Sequence, residues 1–293
     1  MLRLVRQSIL GSGVARTCTA WLVLIIIGAL FGPALAPWDA DAMDWDALEA
    51  PPSLSHWFGT DLIGRDMFVR VMLGARVSLT VGIVATLVSV VIGVPYGAFS
   101  GYIGGRIDQI MMRFVDTLYA LPFILIVILL VVVFGRNPIL LFLALGAVFW
   151  LDIARIVRGQ TLAAREQVFI SAARSMGASQ SRILFKYIIP NVAGPALVYT
   201  TLTIPGVILA ESFISFLGLG IQEPATSWGV LIADGTQSME SAPWTLLFPA
   251  LALGLTVWSC NMLGDALRDQ LDVMHTRVTR GADRRTDPMG NLT

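Results

Sequence analysis

The sequence predicts an all-α integral membrane protein with six spanning helices and both termini in the cytoplasm. Of its 293 residues 56% are hydrophobic and 14% charged, too little charge to cover a soluble surface. The apolar residues fall in blocks of the about 20 residues that cross about 30 Å of hydrocarbon. The cations are also unevenly divided between loops, which sets topology.

Taken in order, residues 1–17 form a short cytoplasmic N-terminus and 18–37 the first crossing. A cleaved signal peptide over residues 1–36 is the competing reading, because Ala34-Leu35-Ala36 mimics a cleavage site. Against it, the apolar stretch is long for a signal, and its removal would leave five crossings with the termini on opposite sides. Residues 38–77 form an extracytoplasmic loop rich in Trp, Pro, Gly and acidic residues. The remaining core, 78–272, holds crossings at 78–100, 115–135, 138–157, 191–217 and 244–265. Its internal loop, 158–190, has no Pro before Pro190 and has Gly177 near its middle, which predicts two short helices meeting at a turn. Residues 218–243 form a second ordered outer segment, and 273–293 a cytoplasmic tail that from 277 onward lacks periodicity.

With the N-terminus inside, 16 of the 20 cations face the cytoplasm. Only Arg65, Arg70, Arg76 and Arg136 lie outside, where the first loop opens with Asp39, Asp41, Asp44, Asp46 and Glu49. The zero net charge gives no reason to expect a nucleic-acid partner.

Pro95, Pro122, Pro205 and Pro249 interrupt apparent crossings, and each removes a backbone hydrogen bond. In lipid, such bends persist where neighbouring helices or a cavity satisfy the freed carbonyls. Together they suggest a protein built around a changing internal space. Gly93, Gly97, Gly101 and Gly105 recur every four residues, a stripe that lets a helix approach closely, in this chain or another. Glu211 is the acidic residue deepest in a crossing and must face the protein interior. It either lines a pathway or outer gate, or serves as a structural hydrogen-bonding group. Asp116 and Asp152 sit near inner ends, within reach of Arg113 and Arg155.

The chain lacks the residues for several chemistries. Lys186 is the single lysine and follows Phe185, so there is no Gly-Lys-Ser/Thr phosphate loop. There is no HExxH or GxSxG motif, and His56 and His275 fall on opposite sides of the membrane. Cys18 and Cys260 lie in apolar blocks and form neither a disulfide framework nor a zinc site. No catalytic, metal-binding or cofactor-binding residue is expected. A transporter of this kind either borrows hydrolysis from a partner or uses an ion gradient, with Glu211 carrying the ion in the second case.

The internal loop separates these alternatives. Ser171, Ala172 and Ala173 let a short helix press into a groove, Phe169, Ile170 and Met176 supply apolar anchors, and Gly177 permits a left-handed turn. The stretch resembles the cytoplasmic motif of ATP-binding-cassette (ABC) importer membrane subunits: EAA, three residues, Gly, nine residues, then I-x-L-P. Ala172, Ala173, Gly177 and Pro190 match in spacing, while Ser171 replaces Glu, Tyr187 replaces Ile and Ile189 replaces Leu. Gly59, Thr60, Asp61, Gly64, Arg65 and Asp66, continuing to Arg70, Gly74, Arg76 and Ser78, resemble the GTDxxGRD segment of the C-type permease of dipeptide, oligopeptide and nickel importers. Ser215-Phe216-Leu217-Gly218-Leu219-Gly220 and Ser227-Trp228-Gly229 are similar to its SFLGLG and SWG segments.

That resemblance, from about residue 20 to 272, implies the type I importer permease fold in a bacterial inner membrane. It implies half of a translocation path for peptides, nickel or a related solute. The implied partners are a second permease subunit in a heterodimer, two cytoplasmic ATP-binding subunits carrying ATP and Mg, and an extracytoplasmic solute-binding protein. Ser171, Ala172, Ala173, Gly177 and Pro190 are then the expected ATPase-coupling residues, and Asp61, Arg65 and Asp66 are expected to fix the outer loop by mutual ion pairs.

Overall fold

The computed structural model describes residues 13–135 and 137–286, with side chains described as far as residue 269. Within these the chain is almost entirely helical, and its only strand-like features are two isolated bridges, Met43 to Arg65 and Thr60 to Asp66. Ten helices follow in order: α1 (Gly13–Leu35), α2 (Met67–Ile103), α3 (Gly105–Tyr119), α4 (Phe123–Phe134), α5 (Pro138–Arg165), α6 (Val168–Ser175), α7 (Gln180–Arg182), α8 (Ile189–Phe216), α9 (Trp228–Gln237) and α10 (Trp244–Thr286). A π-helical turn, Ile183–Ile188, joins α7 to α8.

Five helical stretches are long and apolar enough to span: α1, α2, α5, the continuous run Gln180–Phe216, and α10 as far as Asp269. The expected third crossing at 115–135 is instead a broken pair, α3 and α4, bent by 78°. Pro122 lies in the break, where it bars its predecessor from helical geometry. The apolar arm α4 has 12 residues, about 18 Å at 1.5 Å per residue, short of the hydrocarbon thickness. The sixth crossing therefore exists only if the bent pair is one span.

The other helices overrun their expected limits. Hydropathy locates the part in hydrocarbon, whereas helix ends are set by which polar groups find partners. α2 begins at Met67 rather than 78, because Asp66 caps it by accepting from the Val69 amide (2.9 Å) and Arg70 is paired with Asp61. α5 continues to Arg165 because Asp108 holds Arg158 in a two-pronged pair (2.5 and 2.6 Å). The expectation of an irregular tail fails as far as Thr286, where α10 ends, since lengthening an existing helix needs no new nucleation. Residues 287–293 and Arg3, Arg6 and Arg136 lie outside the described residues, as do the side chains of His275, Arg277, Arg280, Arg284 and Arg285.

Helices continue through Pro95, Pro205 and Pro249, so of the four expected bends the marked break falls at Pro122. Pro33, inside α1, has no N–H for the Ala29 carbonyl. Arg76 of α2 donates to that carbonyl from Nε and Nη2 (3.0 and 2.8 Å), fastening α1 to α2. The glycine stripe packs within the chain. A Cβ at Gly97 would lie 2.3 Å from the Ala154 carbonyl oxygen, and one at Gly93 or Gly101 would lie 2.8 Å from a carbonyl oxygen of α5. Gly105 adopts φ +62°, faces open space and does not belong to the stripe.

Candidate functional site

The internal loop is a knob clamped to the helices behind it. α5 ends at Arg165 with Glu166 as its C-cap, α6 follows after Gln167, and Gly177 turns the chain at φ +80°. Ser179 then caps α7 by accepting from the Arg182 amide. Pro190 offers no N–H to the Lys186 carbonyl, and the ladder widens just before it: the Ile189 amide donates to Leu184, five residues back. The expected pair of short helices is thus α6 and α7, spanning 168–182 rather than the whole of 158–190.

Helical periodicity divides the expected coupling residues between two faces. Ile170 and Ala173 are buried (0 and 1% exposed) in a core shared with Ala98, Val157, Ile183 and Ile188, which ties α6 to α2, α5 and α8. Ala173 is therefore not available to a partner, and Ile170 anchors the knob to its own chain. Ser171 and Ala172 are exposed, beside Val168 (84%) and Met176 (78%), with Phe169 more than one-third exposed. Tyr102, at the inner end of α2, donates to Gln180 and lies under the Arg174 guanidinium (6.0 Å), while Arg165 donates to its carbonyl. Nearby, Arg155 pairs with Asp116 (2.8 Å) and caps the Tyr119 ring (4.3 Å). Tyr119 also hydrogen-bonds Asp152. The Asp108–Arg158 pair was missed by sequence reading; the four-residue spacing of Asp108 from Gly104 gave no sign of it, because its partner is 50 residues away.

Near the outer end, Glu211 is wholly buried among serines of α2 and α8 and Ser227, which caps α9 and also hydrogen-bonds its carboxylate. It accepts from Ser215 (2.7 Å), Ser78 of α2 (3.1 Å) and its neighbour Ser212. Ser227 caps α9 by accepting from the Val230 amide, and Trp228, fully buried, donates its indole N–H to the Val71 carbonyl (3.1 Å). Gly229 sits so close to α8 that a Cβ would meet the Ser212 carbonyl oxygen at 2.2 Å. Glu211 and the Ser-Trp-Gly segment thus form one lock joining α2, α8 and α9. The ion-gradient alternative on Glu211 finds no support, since this carboxylate is already occupied by hydroxyl donors.

The outer loop is held by a charged hub. Asp61 accepts from the Ile63 and Arg65 amides (3.1 and 2.9 Å), Arg65 Nε (2.8 Å) and Arg70 Nη1 (2.6 Å). Arg65 reaches Glu223 of the second outer segment (2.7 Å), and Arg70 extends toward Asp234 (3.7 Å). Burial works against the Asp61 charge, but the Arg65 hydrogen bonds and the Arg65 and Arg70 charges outweigh it and hold the carboxyl below its usual range. Asp61 and Arg65 do pair, as expected. Asp66 instead caps α2 and bonds His56 Nδ1 (3.0 Å), with Trp38 stacked on that imidazole (4.6 Å). Thr60 is fully buried: its hydroxyl bridges Ala47 and Ala50, and its carbonyl accepts from Trp244 Nε1 (3.0 Å). Gly59 and Gly64 both adopt left-handed backbone, and a side chain at Gly64 would collide with the Asp44 backbone.

A bundle of apolar spans, locked at one end and carrying a clamped knob at the other, has the architecture expected of a transport permease. The sequence comparisons give that class a family. Residues 93–273 match the model described as "Binding-protein-dependent transport system inner membrane component", and residues 1–52 match "N-terminal TM domain of oligopeptide transport permease C". The chain is 50% identical over 253 residues to the oligopeptide transport system permease protein OppC of Haemophilus influenzae, covering 86% of this chain and 81% of that one. It is 46% identical over 252 residues to the dipeptide transport system permease protein DppC of Bacillus subtilis (86% and 79%). It is 41% identical over 259 residues to the glutathione transport system permease protein GsiD of an Escherichia coli O6 strain (88% and 86%). The chain belongs to the family of binding-protein-dependent transport system inner-membrane components. It is an inner-membrane permease subunit of an ABC importer, working with partner ATPases and a binding protein.

Proposed function

We propose that this subunit forms half of a peptide pathway with a second, homologous permease, and that α6 is the point where ATP hydrolysis enters it. Peptides are the substrate class, as the names of the oligopeptide, dipeptide and glutathione relatives suggest. ATP and Mg sit on the two cytoplasmic ATPase subunits, and this chain performs no chemistry. The observation that carries the reading is the two-faced knob: Ile170 and Ala173 clamped inward, Val168, Ser171, Ala172 and Met176 facing out. An apolar face of small residues fits a groove on an ATPase, and the clamped face passes its movement to α2, α5 and α8. Alternating ATPase closure and opening then shifts the bundle between two packed states. Ser171 offers a hydroxyl where the family motif has Glu, so contact at that position is neutral. Glu211 and the serines around it keep the outer ends of α2, α8 and α9 together while the inner ends move.

The test is Ala172→Arg. Its site is exposed, so the variant inserts and packs normally, but the bulky cation blocks seating. Peptide uptake into ATP-loaded vesicles holding the assembled transporter is expected to fall at least about tenfold, the effect of 1.4 kcal/mol lost at the contact. Normal ATP-driven uptake by this variant would remove α6 as the coupling point.

A further inference from the structure

The hub encloses a cavity that its structural role does not explain. Between the outer loop, the start of α2, the second outer segment and α9 lies a space of about 280 Å³, at the lower edge of ligand-pocket sizes. It admits one end of a peptide, not a folded partner. Three carboxylates, Asp61, Glu223 and Asp234, and two guanidiniums, Arg65 and Arg70, line it, an excess of one negative charge.

The carboxylates are unequally satisfied. Asp61 takes four hydrogen bonds. Glu223 takes one from Arg65, with Arg70 at 3.6 Å. Asp234 has its nearest cation, Arg70, at 3.7 Å, beyond hydrogen-bond length. Its carboxyl is pushed up by burial, with Glu223 and Asp61 adding to the rise and Arg70 and Arg65 opposing it. The Asp234 side chain is 45% exposed and has no cation within hydrogen-bond length, so an incoming cation can pair with it directly, whereas an incoming anion would meet guanidiniums already engaged with Asp61 and Glu223. Leu62, Ile63, Met67 and Leu231 form an apolar wall beside Asp234.

We infer that this cavity binds a cationic end of the transported peptide, its N-terminal ammonium or a basic side chain, with Asp234 as the main partner, Glu223 assisting and the apolar wall taking the adjoining carbon chain. The inference rests on the peptide reading above. In that setting it gives the permease a selectivity of its own, exerted after the binding protein releases its cargo.

The experiment uses the complete transporter, with its binding protein and ATPases, in vesicles. The probes are trialanine, N-acetyl-trialanine and N-acetyl-Ala-Lys-Ala. Because the same binding protein serves every variant, its preferences cancel when uptake ratios are compared with wild type. In Asp234→Asn, uptake relative to N-acetyl-trialanine is expected to fall about tenfold, for trialanine if the terminus is bound and for the lysyl peptide if the side chain is. Asp234→Glu should keep most of the wild-type ratio. Unchanged ratios in Asp234→Asn, or an equal loss in Asp234→Glu, would overturn the cavity assignment while leaving the importer intact. A wild-type complex that accumulates none of the three peptides would instead overturn the peptide reading itself.

Discussion

Asp61 shows how a single residue holds the outer surface together, because its depressed pKa ties the loop's stability to pH. Arg65 holds Glu223 below its usual range as well. A carboxyl that binds protons less readily folded than unfolded contributes stability that is full above the ordinary carboxylate range, near 4, and is lost as pH falls through it. Amide protection factors in residues 44–66, taken relative to the intrinsic rate at each pH, should therefore fall below about pH 4 while the spanning helices stay protected, and Asp61→Asn should lower them at neutral pH. Asp234, whose pKa is raised, acts with the opposite sign, so Asp234→Asn should steepen the acid loss. Arg70 is only 4% exposed and faces Asp61, Glu223 and Asp234. Arg70→Met leaves Asp61 and Glu223 to Arg65 alone and Asp234 without its nearest cation, and should show as a lower Tm in detergent.

At the scale of helices, the α2–α5 contact is set by the glycine stripe. Gly97→Leu would drive a side chain into the α5 backbone at Ala154, and overpacking of this kind costs about 1–3 kcal/mol. Gly159→Ala, which meets open space, should leave the Tm unchanged or slightly raised. A comparable Tm loss in both variants would contradict packing as the stripe's role. The stripe, the apolar spans and the Gly177 turn were legible in the sequence because each depends on residues close together in the chain. The bend at Pro122 was legible as well, but not its 78° sharpness, the early start of α2 or the inward face of Ala173. The Arg70 partner Asp234 is 164 positions away in sequence, and the core that swallows Ala173 is assembled from α2, α5 and α8. Spacing identified α6 as a contact helix, but only tertiary packing says which of its faces is free. The serines around Glu211 were likewise hidden, since Ser78 is 133 residues from it.

For the molecule as a whole, the account requires one path from the cytoplasm to the outer lock: α6 fixed to the inner halves of α2, α5 and α8, and those helices pinned together outside through Glu211, Trp228 and the Asp61 hub. Cysteine cross-linking along α6, in membranes holding the assembled transporter, tests this most directly. Cys18 is buried and Cys260 half-buried, so both give little background. Met176→Cys and Ala172→Cys should link to the ATPase subunit and change in yield when ATP is added, while Ile170→Cys and Ala173→Cys should not react. Linking at the two buried positions as readily as at the exposed ones, or labelling of Met176→Cys by an impermeant reagent outside intact cells, would contradict it.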